Sequence, residues 1–199
     1  MKIYVDFDRT LFDCDRFLDD FYNLITNYNI PRDLFKECQN QSRKHGFNPY
    51  IILNNLEKKI SFDKSIYNDI DKLIINTSSY LYSDAIPFLE YINSLNYKVI
   101  ILTKGNRDFQ SKKIANAHID KYYDKIIVTM HHKGFLFLNY LQSIFIDDNP
   151  REIKSLMKRR PKKMIRIKRI NSKYSNIEID YDILSIENLQ EIIDKKILG

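Results

Sequence analysis

Two pairs of carboxylates stand at the ends of apolar runs in this chain. Asp6 and Asp8 close the run KIYVDFD, with Thr10 just beyond, and Asp147 and Asp148 close SIFIDD. In a strand, residues i and i+2 share a face, so the Asp6 and Asp8 side chains are expected side by side. Like charges that close raise one pKa and penalise the fold unless a cation sits between them. Two more apolar runs end in groups of the opposite character: KVIILTKG ends in Thr103, Lys104 and Gly105, and KIIVTMHHKG leads into Lys133. Carboxylates, a hydroxyl backed by Gly and an ammonium together describe a magnesium and phosphate site. Mg²⁺ takes oxygen ligands from one or two carboxylates and a phosphate, which relieves repulsion among Asp6, Asp8, Asp147 and Asp148. Thr103 and the amides of Lys104 and Gly105 are placed to hold phosphoryl oxygens, and Lys133 to neutralise the nucleophile and the transferring group. Asp6 can then attack phosphorus, while Asp8 gives a proton to the leaving oxygen and later takes one from water.

The elements that must position these residues follow from periodicity. KIYVDF has the β-branched and aromatic content of a buried strand. From Asp15 the spacing turns helical, with Phe17, Leu18, Phe21, Tyr22, Leu24 and Ile25 on one face. Pro31 is placed to open a second helix and Gly46 to end it, and two more helical stretches are expected at about 50–60 and 63–82. Residues 14–83 therefore form an all-helical block inserted after the first strand. Beyond Pro87 the pattern alternates: FLEYINSL helix, KVIILT strand, RDFQSKKIANA helix, KIIVTM strand, GFLFLNYL helix, SIFID strand, PREIKSLMKR helix, MIRIKR strand and a closing helix in IENLQEIIDKKIL. Such alternation implies right-handed crossovers and a mostly parallel sheet covered on both faces, with its chemistry at the carboxyl ends of the strands.

At 199 residues, 44% hydrophobic and 29% charged, the chain has the balance of a folded soluble protein with room for a core and a smaller insert. Only three apolar residues separate Lys2 from Asp6, which is too short for a signal peptide, and no apolar run is long enough to span a bilayer, so a cytoplasmic location away from membranes is expected. Cys14 and Cys38 are too few for a disulfide framework or a zinc site. The net charge of +6 is local. Ten Lys or Arg and no acid fall between Ile153 and Ile177, and the rest of the chain sums to −4. Most of these residues are read as a solvated helix flank, with a field that attracts phosphate-bearing ligands as the sharper reading.

The four strand ends, in that order, resemble the motifs of the haloacid dehalogenase (HAD) superfamily. DFDRTLFD looks like its first motif, LTKG its second, Lys133 its third and FIDDNP its fourth. The resemblance covers essentially the whole chain and implies an α/β fold: a Rossmannoid three-layer sandwich with a parallel sheet, 1–13 and 84–199, plus an inserted helical (C1) cap, 14–83. Residue by residue, it implies Asp6 as nucleophile and magnesium ligand, and Asp8 as acid/base and donor of a backbone carbonyl to the metal. It also implies Thr103 as phosphate ligand, Lys133 as charge stabiliser, and Asp147 and Asp148 as metal ligands. The second Asp, Asp8, matches the phosphatase branch and not the dehalogenases. Arg9 departs from the family, standing where Gly is common, and the 133–147 interval is short, so its helix must be brief. Lys112, Lys113 and Lys125 are rivals of Lys133 for the third-motif lysine.

The expected function is therefore a Mg²⁺-dependent phosphomonoester hydrolase acting through an aspartyl-phosphate on a small phosphorylated metabolite or nucleotide, with the cap closing to exclude water. One alternative is a nucleic-acid end-processing phosphatase using the basic 154–173 stretch. That run lacks interleaved aromatics for base stacking, which disfavours it. Another is a HAD-fold binding module without turnover. His131 and His132, being adjacent, diverge and do not form a metal pair. Asn106 reads as a helix cap, and Tyr80, Tyr82, Phe47 and Tyr50 as core more than pocket.

Overall fold

In the computed structural model, which describes residues 1–198, six strands form one parallel sheet. They are β1 (Lys2–Val5), β2 (Lys98–Lys104), β3 (Lys125–Thr129), β4 (Ser143–Asp147), β5 (Lys163–Ile167) and β6 (Leu184–Ile186). The order is β3-β2-β1-β4-β5-β6, so β1 and β4 lie side by side at the centre, with Val5 in register with Ile146. This adjacency brings the two acidic strand ends together. The last strand, β6, lies in a stretch expected only to lead into a helix. It is three residues long and largely exposed, too short to leave an alternating signature.

Alternation along the central strands sorts their side chains into two cores. Ile3, Val5, Ile101, Ile146 and Ile165 face the larger one, against α5 (Ala85–Ser94), α6 (Arg107–Ala115) and α8 (Gln190–Asp194). Tyr4, Leu102, Phe145 and Met164 face the smaller, under α7 (Pro150–Met157). Each fully buried aliphatic or aromatic side chain contributes roughly 1.5–3 kcal/mol. Because both faces are buried, these strands read as continuous apolar runs.

Residues 14–80 are helical: α1 (Cys14–Asn27), α2 (Arg32–Ser42), α3 (Pro49–Glu57) and α4 (Ser65–Ile75), with 3-10 turns at Arg43–His45 and Asn76–Tyr80. Asp13 caps α1 through the Arg16 amide at 3.0 Å, and Asn48 caps α3, where Pro49 opens the helix. Tyr80 is buried against Phe12 and Phe17, and the partly buried Phe47 packs on the core against Phe21 and Phe109. Tyr82 lies beneath the Arg169 guanidinium, and Tyr50 donates to Asp71. The helix expected in GFLFLNYL does not form. Residues 133–142 make two 3-10 turns, Lys133–Phe135 and Tyr140–Gln142, because ten residues must both present Lys133 and return the chain to β4. Among the described residues no helix is long and apolar enough to cross a membrane.

Candidate active site

The site lies at the carboxyl ends of β1, β2 and β4. β1 ends at Val5, and the Asp6 amide still donates to the Ile146 carbonyl at 2.9 Å, so Asp6 leaves the sheet beside Asp147. One carboxylate oxygen each from Asp6, Asp147 and Asp148 lies within 4.8 Å of the others, and all three residues are buried. Lys133, only 2% exposed, lies between two of them, its Nζ 2.5 Å from Asp6 Oδ1 and 2.6 Å from Asp147 Oδ2. Asp147 Oδ1 also accepts from the Asn149 amide, at 2.9 Å. Asp148 Oδ2 is buried and has no hydrogen-bond partner among the described residues. Thr103, at the end of β2, is buried and its Oγ1 is likewise unpartnered.

Three carboxylates around one ammonium leave an excess of buried negative charge, and the proton affinities record it. Burial pushes Asp6 up to about 7, against the pull of Lys133 and with that of Asp147. Burial and the neighbouring Asp6 and Asp147 charges push Asp148 well above the ordinary carboxylate range. Asp147 is raised by burial despite Lys133. Burial works against the Lys133 ammonium, but Asp147 and Asp6 outweigh it and raise its pKa. The cluster is short of positive charge, which is the condition a divalent cation satisfies.

Asp8 departs from expectation. Its carboxylate is not in the cluster with Asp6. It is held by the buried Lys113 ammonium through Oδ1 and by Gln110 Nε2 at 2.7 Å through Oδ2. The physical reason is that the strand has already ended. The Phe7 carbonyl accepts from the amides of Thr10, Leu11 and Phe12, so Asp8 lies in a tight turn where strand alternation no longer governs direction. Burial raises the Asp8 pKa, but Lys113 and Gln110 outweigh it and hold the group below its ordinary value. The repulsion read at residues 6 and 8 is therefore met by two different lysines, one for each carboxylate. Arg9 takes the left-handed conformation its turn requires, at φ 60°, and its guanidinium forms a bidentate pair with Asp15 below the Tyr174 ring.

The other expected residues divide. The Lys104 side chain pairs with Glu152 Oε1 at 2.9 Å and lies 3.4 Å from His132 Nδ1, and the Gly105 amide donates to the Thr129 carbonyl. The Lys104 ammonium and the Gly105 amide, from two residues expected to hold phosphoryl oxygens, are thus engaged with protein partners. Asn106 caps α6 as expected, its Oδ1 accepting from the Phe109 amide at 3.1 Å. Of the rival lysines, Lys112 pairs with Asp71, Lys113 with Asp8, and Lys125 is exposed at the start of β3. His131 is exposed, and His132 Nδ1 lies 2.8 Å from Glu152.

Glu152 and Gln110 were not singled out in the sequence. Glu152, 2% exposed, receives Lys104 and the Lys133 amide at 2.8 Å, and so ties the ends of β2 and β3 to α7. Its only sequence signal is an acid one turn into a helix that follows an acidic strand end, which a first-turn acid at any helix would also give.

Comparison with known proteins agrees with this architecture. Residues 3–135 match the family model described as haloacid dehalogenase-like hydrolase. Among solved structures, a haloacid dehalogenase-like hydrolase from Burkholderia xenovorans superposes with a TM-score of 0.76 at 16% identity, covering 98% of this chain and 96% of that one. The HAD-hydrolase YfnB of Bacillus subtilis, bound to magnesium, gives 0.61 at 13% identity over 98% and 97%. The L-2-haloacid dehalogenase of Xanthobacter autotrophicus gives 0.65 at 13% over 100% and 98%. No curated protein matches the sequence. The family match spans well over half of the 199 residues, so this chain belongs to the haloacid dehalogenase-like hydrolases.

Proposed function

We propose that the chain is a Mg²⁺-dependent phosphomonoester hydrolase that acts through an aspartyl-phosphate on Asp6, with a small phosphorylated metabolite or nucleotide as substrate. The observation that carries this reading is the buried Asp6–Lys133–Asp147 cluster, with Asp148 beside it and a second Asp two residues after the nucleophile. The donor set suits Mg²⁺: all the oxygens are hard, and Asp148 Oδ2 is buried without a partner. Asp6, Asp147 and Asp148 would hold the ion, with the Asp8 carbonyl as a further ligand. When bound, it would neutralise the carboxylates and draw charge from the transferring phosphoryl group.

The protein's own residues supply the rest. The Asp6 carboxylate attacks phosphorus and the ester P–O bond breaks, while Lys133 offsets charge on both partners. The leaving oxygen takes a proton from Asp8. A water then attacks the aspartyl-phosphate, giving its proton to Asp8 and restoring Asp6. Asp8 is held ionised by Lys113 here, so it donates only after leaving that ammonium. We take residues 14–83 as the cap: Asp6, Thr103, Lys133, Asp147 and Asp148 are all buried, and substrate reaches them only when the covering residues move.

The test is release of phosphate from an aryl phosphate, with Mg²⁺ and with chelator, by the native chain and by Asp6→Asn. Turnover that needs Mg²⁺ and falls to background in Asp6→Asn is expected. Chloride release from 2-chloropropionate, with no phosphate release from a panel of phosphomonoesters, would overturn the reading.

A further inference from the structure

The basic stretch after β4 lacks aromatics in sequence, but the fold brings them to it from elsewhere. Arg151, Lys154 and Lys158 fall on one side of α7 and its C-cap, at spacings of three and four residues, and all are exposed. The 133–142 segment lies against this side. The Gly134 amide donates to Ser155 Oγ at 3.1 Å, and a Cβ on Gly134 would lie 2.2 Å from the Ser155 carbonyl oxygen, so only glycine permits the approach. The segment thereby sets Phe135 in a groove of about 240 Å³ shared with His132, Arg151, Lys154, Ser155 and Lys158. Phe135 is 71% exposed and Phe137 fully so, while His132 meets the Phe135 ring edge-on at 5.9 Å. Phe137 lines the neighbouring groove, with Arg107 and Lys125. Two phenyl rings left in water within three residues of each other, one beside the three cations of α7 and the other beside Arg107 and Lys125, are a combination that burial alone does not explain.

We infer that this face binds single-stranded nucleic acid, with Phe135 and Phe137 as stacking surfaces and Arg151, Lys154 and Lys158 along the phosphates. Exposed rings beside a cationic track are how single strands are held without sequence preference, since every base offers a π-face and every nucleotide a charge. A duplex hides its base faces and leaves the rings unused. The charges line a groove instead of ringing a flat apolar surface, which favours a strand over an anionic membrane. Glu152, the acid on the same helix, is buried and already paired with Lys104. Glu178 and Asp180 share a second groove with Arg151 and Lys154, but neither lines the groove that holds Phe135 and Lys158. The face is separate from Asp6 and does not depend on the phosphatase reading.

Fluorescence anisotropy of the full chain with a labelled oligothymidylate, at 50 and 200 mM salt, tests it. Binding is expected to weaken as salt rises. Lys154→Glu with Lys158→Glu should lower affinity at least tenfold and reduce the slope of log K against log salt by about 1.4 for two lost single-strand phosphate contacts. Phe135→Ala with Phe137→Ala should lower affinity about tenfold or more with the salt slope unchanged. These side chains are exposed, so circular dichroism should show both variants folded, and aryl phosphate turnover should match the native chain. Absence of binding at 50 mM salt, preference for a duplex of the same length, indifference to both double variants, or binding to phosphatidylserine vesicles with none to the oligonucleotide would each overturn the inference.

Discussion

At the scale of single residues, the site is governed by three buried carboxylates around one ammonium that pairs with only two of them, Asp6 and Asp147. Asp6 and Asp148 both hold their protons more tightly in the fold than in the unfolded chain, where a carboxyl titrates near 3.9. A group raised in this way contributes stability in full below about pH 4 and loses it as pH climbs through the folded value, about 7 for Asp6. A metal competes with those protons, since only ionised carboxylates bind it. Saturating Mg²⁺ is therefore expected to raise the melting temperature more at pH 8 than at pH 5, as read by differential scanning fluorimetry. An equal or larger rise at pH 5 would remove Asp6 and Asp148 from the binding set. Asp8 lies outside this balance because Lys113 satisfies it separately, beneath the rings of Phe7, Phe12 and Phe109.

At the scale of elements, the 133–142 segment does with two 3-10 turns what a helix was expected to do. It is held at one end by Lys133, whose amide donates to the Glu152 carboxylate, and near the other by Tyr140, whose hydroxyl lies 2.7 Å from the Leu136 carbonyl and 2.9 Å from that of Lys133. Gly134 is the point where it touches α7, and the obstacle to any side chain there is the Ser155 backbone, which cannot rotate away. Gly134→Ala should cost about 1–3 kcal/mol, the range for overpacking, and should lower phosphate release by displacing the adjacent Lys133. Urea denaturation and the aryl phosphate assay measure the two effects; a native midpoint with native turnover would show that α7 shifts freely and does not hold the lysine.

At the scale of the whole molecule, the helical segment meets the α/β part at the loop behind Thr103. The Asn106 side chain donates to the His45 carbonyl at 2.9 Å and accepts from Asn48 Nδ2 at 3.1 Å. Gly46, at φ 75°, comes so close that a Cβ would lie 2.5 Å from the Asn106 amide nitrogen. Gly46→Ala is thus expected to destabilise by more than about 1 kcal/mol from the backbone alone. It should also lower kcat by holding the helices off the loop, with the change reversed neither by more Mg²⁺ nor by more substrate. Full activity in a folded Gly46→Ala protein would mean that this contact does not close the site.

What was legible in the amino-acid order is whatever local periodicity and strand-end chemistry carry. The alternation of apolar runs announced the parallel sheet, the 3.6-residue spacing announced the helices of 14–80, Asp6, Thr103, Asp147 and Asp148 stood at strand ends, and Lys133 followed the third run. Tertiary structure alone decided which charges meet. Lys113 is 105 residues from Asp8, and Lys133 is 127 from Asp6. No local pattern encodes which ammonium reaches which carboxylate, because that depends on sheet order and on where a turn interrupts alternation. The same holds for the exposed Phe135 ring beside α7: a sequence records neighbours along the chain, whereas the field and the stacking surface form only where the fold sets distant segments against each other.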